Sequence, residues 1–240
     1  FAVEASMTKV FGSETSNMVV DESLQLLGGY GFIEEYPFAS AYRDDRINRI
    51  WEGTNEINRA IITGYMMKKV LMEEISLRDF LKKKDSFLNS DVLDMAIGQF
   101  HFELQGLNAA KILSALVFQE ALCEYGQDLK HQQQLSEALA DMFTFIYTAG
   151  SVLSRANQAQ SVNGITNYHI INARIFITES LLKVKLLSNI CLNKIFRESI
   201  PKDFNASVQS LEKMMTLNTD TISLKQELAS FMITQNDYPF

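Results

Sequence analysis

An all-α fold is what this sequence predicts, and three observations carry the prediction. Helix breakers are scarce, with three prolines and 11 glycines in 240 residues. Stretches that alternate apolar and polar residues are few. Apolar residues instead recur every three or four positions over long segments, the period of a helix with one buried face. The chain is 47% hydrophobic and 21% charged, ordinary for a soluble globular protein and enough for one or two cores. A formal net charge of −7 gives no support to nucleic-acid binding, which usually needs a basic face.

The chain-wide chemistry is otherwise plain. Cys123 and Cys191 lie far apart and match no CxxC spacing, so both are expected as buried small apolar side chains in a reducing compartment. His101, His131 and His169 are isolated and show no metal-ligand spacing, so no metal is expected and all three read as structural or exposed. No apolar run reaches the length of a membrane span, and no signal peptide is visible.

In chain order, Val3, Met7, Val10, Val19, Leu24 and Leu27 give residues 1–27 a helical rhythm, with an interruption expected near Gly12-Ser13. The opening Phe1-Ala2-Val3-Glu4-Ala5 has neither initiator methionine nor cap and reads like the middle of a helix, so the chain is expected to be part of something longer. Gly28, Gly29 and Gly31 end this helix, with one of the first two expected just past its C-terminus. Residues 32–53, which include Pro37, read as loops and short helices. A helix is expected from Thr54 to about Ile75. Residues 81–90, rich in lysine, aspartate and serine, read as a solvated linker rather than a membrane-binding patch.

From Asp91 a second helical domain is expected. Leu93, Ile97, Phe100, Leu104 and Leu107 mark its first helix, which runs to Glu124 with Gly126 just beyond. Leu135, Leu139, Met142, Ile146, Ala149, Leu153 and Ala156 keep a four-three spacing that marks a packing seam. A third helix carries Ile170, Ile177, Leu181, Val184 and Cys191 and must stop before Pro201. Shorter helices near Val208 to Met215 and Ile222 to Ile233 complete the set. The expected organisation is thus a helical domain at 1–80, a linker at 81–90 and a helical extension at 91–240.

The densest stretch runs from Leu24 to Ile62. At its centre Trp51-Glu52-Gly53-Thr54 places a carboxylate on a loop that opens directly into a helix. Thr54 or Asn55 suits the N-cap, with Glu56 in the first turn where the helix dipole favours negative charge. Ile57, Ile61 and Tyr65 would form one apolar stripe. Gly53 permits a sharp bend or close approach by a ligand. Apolar surroundings would raise the pKa of Glu52 toward the range of a general base, and the free N–H groups of the helix start suit a phosphate. The competing reading is a first-turn acid that only stabilises its helix.

Q-x-x-G-G-Y-G (Gln25 to Gly31), Y-R-D (Tyr42 to Asp44) and W-E-G-T-N-E-I (Trp51 to Ile57) together resemble the C-terminal signature of the acyl-CoA dehydrogenase family, in order and in spacing. The resemblance implies the last helices of that family's C-terminal four-helix domain. It implies Glu52 as the base that takes the α-proton of an acyl-CoA thioester, with FAD as cofactor and a trans-2-enoyl-CoA of fatty acid β-oxidation as product. The thioester oxygen would be held partly by the Glu52 backbone N–H, a device worth about 3 kcal/mol per donor. Thr54, Asn55 and Glu56 would hold the flavin diphosphate, while Gln25, Gly28 and Gly29 would touch the flavin of a neighbouring subunit. Gly53 would let the substrate pass beside the backbone. Trp51, where the family usually has tyrosine or phenylalanine, would shape the acyl pocket. Arg43 and Asp44 read as a structural ion pair or a loop brace rather than as catalytic groups.

Leu139-Ala140-Asp141, then Leu153-Ser154-Arg155-Ala156 and the Tyr238-Pro239-Phe240 end resemble the extension of the very-long-chain branch, whose members are dimers. The expected partners are therefore an acyl-CoA, an electron-transfer flavoprotein and a second copy of the chain. Peripheral membrane contact is not indicated. The location expected is the cytoplasm of a bacterium or, alternatively, the mitochondrial matrix. The family's N-terminal helical and middle β domains are not in this chain, so the fragment alone is expected to be inactive. An acyl-CoA oxidase would share base and flavin. A non-catalytic helical assembly module is the reading from a different class, and the intact Trp51-Glu52-Gly53-Thr54 turn weighs against it.

Overall fold

The computed structural model describes residues 1–82, 84–89, 99–159 and 166–235, and all regular structure among them is helical. The helices are α1 (Ala2–Leu27), α2 (Gly29–Phe32), α3 (Pro37–Arg46), α4 (Asn55–Leu71), α5 (Leu77–Lys82), α6 (Lys84–Asn89), α7 (His101–Tyr125), α8 (Gln133–Ala159), α9 (Thr166–Phe196), α10 (Lys202–Met214) and α11 (Thr221–Gln235), with 3-10 turns at Ile47–Arg49 and Gly126–His131. They form two compact units: Phe1–Glu74 with Asp128–Ala140, and Ile75–Gln127 with Asp141–Phe240. The division differs from the expected order of domains, since a segment of the extension belongs to the first unit.

In the first unit α1 packs on α3 and α4. The expected break at Gly12-Ser13 is absent. Ser13 is buried, and its hydroxyl bonds the Val10 carbonyl and the Asn55 side chain, so the helix runs through. Gly28 ends α1 at φ 56°, in the left-handed region that favours glycine. Gly31 answers a different demand: a Cβ there would lie 2.5 Å from the Leu24 carbonyl oxygen. Helix α4 starts after Thr54, whose hydroxyl accepts the Ile57 N–H at 3.3 Å, and ends at Leu71, four residues short of the expected Ile75.

The face that α4 buries is not the expected one. Ile57 and Tyr65 are 55% and 45% exposed, while Asn55, Asn58, Arg59, Ile62 and Thr63 are buried. Polar groups on this side are paired, so burying them carries no desolvation penalty left unmet. Arg59 forks onto both oxygens of Glu14 at 2.8 and 3.0 Å. Asn55 exchanges bonds with Ser13 and donates to Glu14. Thr63 donates to the Ser136 carbonyl at 2.7 Å.

In the second unit α7 packs on α9 and α10, and α9 on α11. Gly106 allows the approach to α9, since a Cβ there would stand 2.7 Å from Leu181 Cδ1. Gly126, at φ 51°, stops α7 as its position suggests. The Glu103 carboxylate, buried on α7, meets Arg174 of α9 at 3.2 Å. Along α8, Leu135 and Leu139 in the first unit's segment and Met142, Ala149, Leu153 and Ala156 in the second's are buried, with Ile146 half-buried, so each part of the seam packs as its spacing demands.

The polar stretch expected as a linker is mostly helical, as α5 and α6, and α5 packs on α7 through a segment that carries Leu77 and Leu81. Charge at four positions does not prevent a short helix when apolar side chains recur between them. Ser90, Leu93, Ile97 and the Tyr238-Pro239-Phe240 motif lie outside the described residues. Cys191 is fully buried as expected, but Cys123, near the end of α7, is exposed. A cysteine in the last turn of a helix has no obligation to face the core. No described helix is long and apolar enough to cross a membrane.

Candidate active site

The turn between the 3-10 helix and α4 holds two consecutive residues in the left-handed region, Glu52 at φ 53° and Gly53 at φ 78°. Glycine accepts that conformation freely. A glutamate does not, and persists there only when its surroundings impose it. The surroundings are two side chains. Asn58 Nδ2, on the first turn and a half of α4, donates to the Gly53 carbonyl at 2.8 Å and the Thr54 carbonyl at 3.1 Å, with the Glu52 carbonyl at 3.5 Å. Lys9 Nζ, from α1, donates to the same Gly53 carbonyl at 2.8 Å and to Asn55 Oδ1 at 2.7 Å.

All peptide bonds here are trans, so each N–H points opposite its own carbonyl. With the carbonyls of Glu52, Gly53 and Thr54 drawn toward Asn58, the N–H groups of Gly53, Thr54 and Asn55 face the other way. That makes a cluster of donors at the positive end of α4.

Glu52 itself is exposed, and Ile50 and Trp51 beside it are 53% and 55% exposed. The apolar surroundings expected for this carboxylate are therefore not supplied by the described residues. Asn55, expected to touch cofactor, is 1% exposed with its amide spent on Lys9, Ser13 and Glu14. Only its backbone N–H is left for a ligand. Glu56 is exposed, and its own backbone N–H, then the Thr54 hydroxyl, hold its carboxyl below the usual range. It stays charged and occupies part of the positive helix end, so it opposes a second anion there.

Gln25, Gly28 and Gly29 are exposed at the far end of α1. Gln25 is sixteen residues beyond Lys9, about 24 Å along the helix at 1.5 Å per residue, so this cluster and the Glu52 turn are separate places. A Cβ on Gly29 would meet nothing within 4 Å, so no packing within this chain requires glycine there. Arg43 and Asp44, expected as an ion pair or loop brace, are both exposed. Asp45 beside them is buried, accepts from the Ser16 hydroxyl, and accepts from Asn48 Nδ2 at 3.2 Å. Lys9, Asn58 and Asp45 escaped the sequence reading. Lys9 lies more than forty residues from the turn it holds, and Asn58 reads locally as one more polar helix residue.

A family model described as the C-terminal domain of acyl-CoA dehydrogenase matches residues 2–67, which include the whole turn and its two clamps. A second model of the same description matches residues 108–198. The chain belongs to the acyl-CoA dehydrogenase family. It is 34% identical over 191 residues to a probable acyl-CoA dehydrogenase of Bacillus subtilis, covering 77% of this chain and 32% of that relative. It is 33% identical over 193 residues to the mitochondrial very long-chain specific acyl-CoA dehydrogenase of Bos taurus, covering 70% of this chain and 29% of that protein. The match to this relative, over 70% of the chain, reaches into the helices that follow His101. Among solved structures, an acyl-CoA dehydrogenase from Bacillus anthracis complexed with FAD aligns over 100% of this chain and 41% of its own, with a TM-score of 0.88 at 29% identity. The chain thus spans about a third of the length of the curated acyl-CoA dehydrogenases it matches.

Proposed function

We propose that the protein carrying this chain is an FAD-dependent acyl-CoA dehydrogenase that converts a fatty acyl-CoA to its trans-2-enoyl-CoA, with Glu52 as the base. The observation that carries this reading is the Glu52-Gly53 turn, a backbone held at its carbonyls by two side-chain donors in a conformation that glutamate does not choose. When bound, the flavin accepts the hydrogen that leaves the β-carbon as hydride. The work of this chain is to remove the α-proton. The Glu52 side chain is exposed and open for a substrate to reach. Gly53, without a side chain, leaves room for a thioester beside the backbone.

The residues present fit a flavin diphosphate in part. The N–H groups of Gly53, Thr54 and Asn55 face outward together and suit phosphate oxygens, while the Glu56 carboxylate works against them. Gly29, in open space, suits close approach by a flavin held on another subunit, as do Gln25 and Gly28 next to it. Exposed Trp51 is free to shape an acyl pocket. The bacterial and mitochondrial relatives support a cytoplasmic or matrix location, and an electron-transfer flavoprotein is the acceptor this reading expects. The helices from His101 onward correspond, in this reading, to the extension of the very-long-chain branch.

Glu52→Gln in the full-length protein tests the reading. The change is nearly isosteric and removes the basic carboxylate. Flavin content should be unaltered, and acyl-CoA turnover should fall at least about a hundredfold, the lower end of what a positioned base contributes. Turnover near the unmodified rate would defeat the assignment of Glu52.

A further inference from the structure

We infer that Asn58 and Lys9 are positioning residues for the reaction, acting through the Glu52-Gly53 turn that they clamp; the inference rests on the assignment of Glu52 as base. Neither needs to touch substrate. Asn58 is 6% exposed within a helix, a place where asparagine is a poor helix former and a buried amide costs free energy unless satisfied. An apolar residue would serve the packing better. Its amide instead gathers the carbonyls of Glu52, Gly53 and Thr54. The fit is tight, for a Cβ on Gly53 would come within 3.1 Å of Asn58 Nδ2.

Lys9 reaches the same Gly53 carbonyl from a different helix. Two donors from two elements therefore converge on one acceptor, the carbonyl that follows the base. The ammonium is also tied to Asn55 Oδ1, which joins α1 to the first residue of α4. A side chain needed only for the α1–α4 joint could end at Asn55. The reach to Gly53 has no such use, and what it restrains is the backbone that aims the carboxylate. Loss of either donor frees a strained turn to relax, which moves the Glu52 carboxylate.

The test uses the full-length protein carrying Asn58→Leu, Asn58→Gln, Lys9→Met, Lys9→Arg and, alongside, Glu52→Gln. Three quantities are read: kcat and KM separately, flavin content, and amide hydrogen exchange of the peptide spanning residues 50–56. Asn58→Leu and Lys9→Met should each lower kcat about a hundredfold, the scale of a misplaced catalytic group. KM should move less than about threefold, with flavin retained. Exchange in residues 50–56 should rise at least about tenfold while the α1 and α4 peptides stay protected. Asn58→Gln and Lys9→Arg, which keep a donor, should recover part of kcat. Unchanged kcat in Asn58→Leu, or a loss matched by α1 and α4 opening, overturns the inference. Should Asn58→Leu fail to fold, Lys9→Met decides on the same criteria. An active Glu52→Gln would instead remove the base assignment, so the two failures are told apart.

Discussion

Glu14 shows how one residue can hold a joint that carries a site. Burial works against its charge, yet the two-nitrogen grip of Arg59 and the Asn55 amide outweigh that and hold its carboxyl below the ordinary value of 4.5. The stability it contributes is therefore present above about pH 4.5 and is lost as the pH falls through the lower, folded value. Glu14→Gln should cost about 2 kcal/mol at pH 7, less than a fully buried pair because a third of the Glu14 side chain faces solvent. The difference from wild type should shrink below pH 4.5. Denaturant unfolding at pH 7 and pH 3.5 measures it, and a gap independent of pH would show that the charge is not the cause. The cysteines make a second prediction. Burial pushes the Cys191 thiol up to about 12, whereas Cys123 is exposed. Alkylation of the native protein at pH 8 should label Cys123 and leave Cys191 until denaturation. Equal labelling of both would contradict the packing of α9.

Among the elements, α4 and α8 make a useful contrast. On α8 the apolar repeat and the buried face coincide, so one period describes the packing. Leu139 is 0% exposed, and Leu139→Ala should cost about 2–5 kcal/mol through lost burial and a cavity. Ile146→Ala, at a half-buried position, should cost visibly less. Chemical denaturation of both variants with an unchanged m-value is the check, and equal losses would mean that the seam is not graded as the structure has it. On α4 the apolar stripe and the buried face are different faces. Its inner side satisfies Asn55, Asn58, Arg59 and Thr63, and its outer side leaves Ile57 and Tyr65 exposed. The apolar stripe of α4 is thus turned outward beside the Glu52 turn.

For the whole molecule the prediction concerns assembly. Gln25 lies about 24 Å along α1 from Lys9, which reaches the turn, and Gly28 and Gly29 lie past the helix end, too far to serve the same end of one cofactor within one chain. If they serve flavin, a second subunit must bring it, and a closed two-fold dimer is the arrangement in which each patch meets its own copy. Light scattering on the full-length, flavin-loaded protein should give the mass of a dimer. A flavin-retaining monomer would sink the shared-site reading. A tetramer would leave it standing and remove the likeness to dimeric members.

The sequence by itself was enough to read the helical class, most helix positions and the turn from Trp51 to Thr54 as the candidate site. Those depend on local spacing: apolar repeats along α7 to α9, glycines at Gly28 and Gly126, and a motif contiguous from Trp51 to Ile57. The family resemblance was legible for the same reason, since its three motifs lie within about forty residues. Only the tertiary structure decided which face α4 buries, because paired polar residues can occupy an interior as well as apolar ones when their partners arrive from elsewhere. Only it showed that α1 runs unbroken through Gly12-Ser13, where Asn55 supplies the bond that holds Ser13. Only it placed Lys9 and Asn58 on one carbonyl. A clamp assembled from residues 9, 53 and 58 leaves no periodic trace, since chain contacts across forty residues are made by packing and not by spacing.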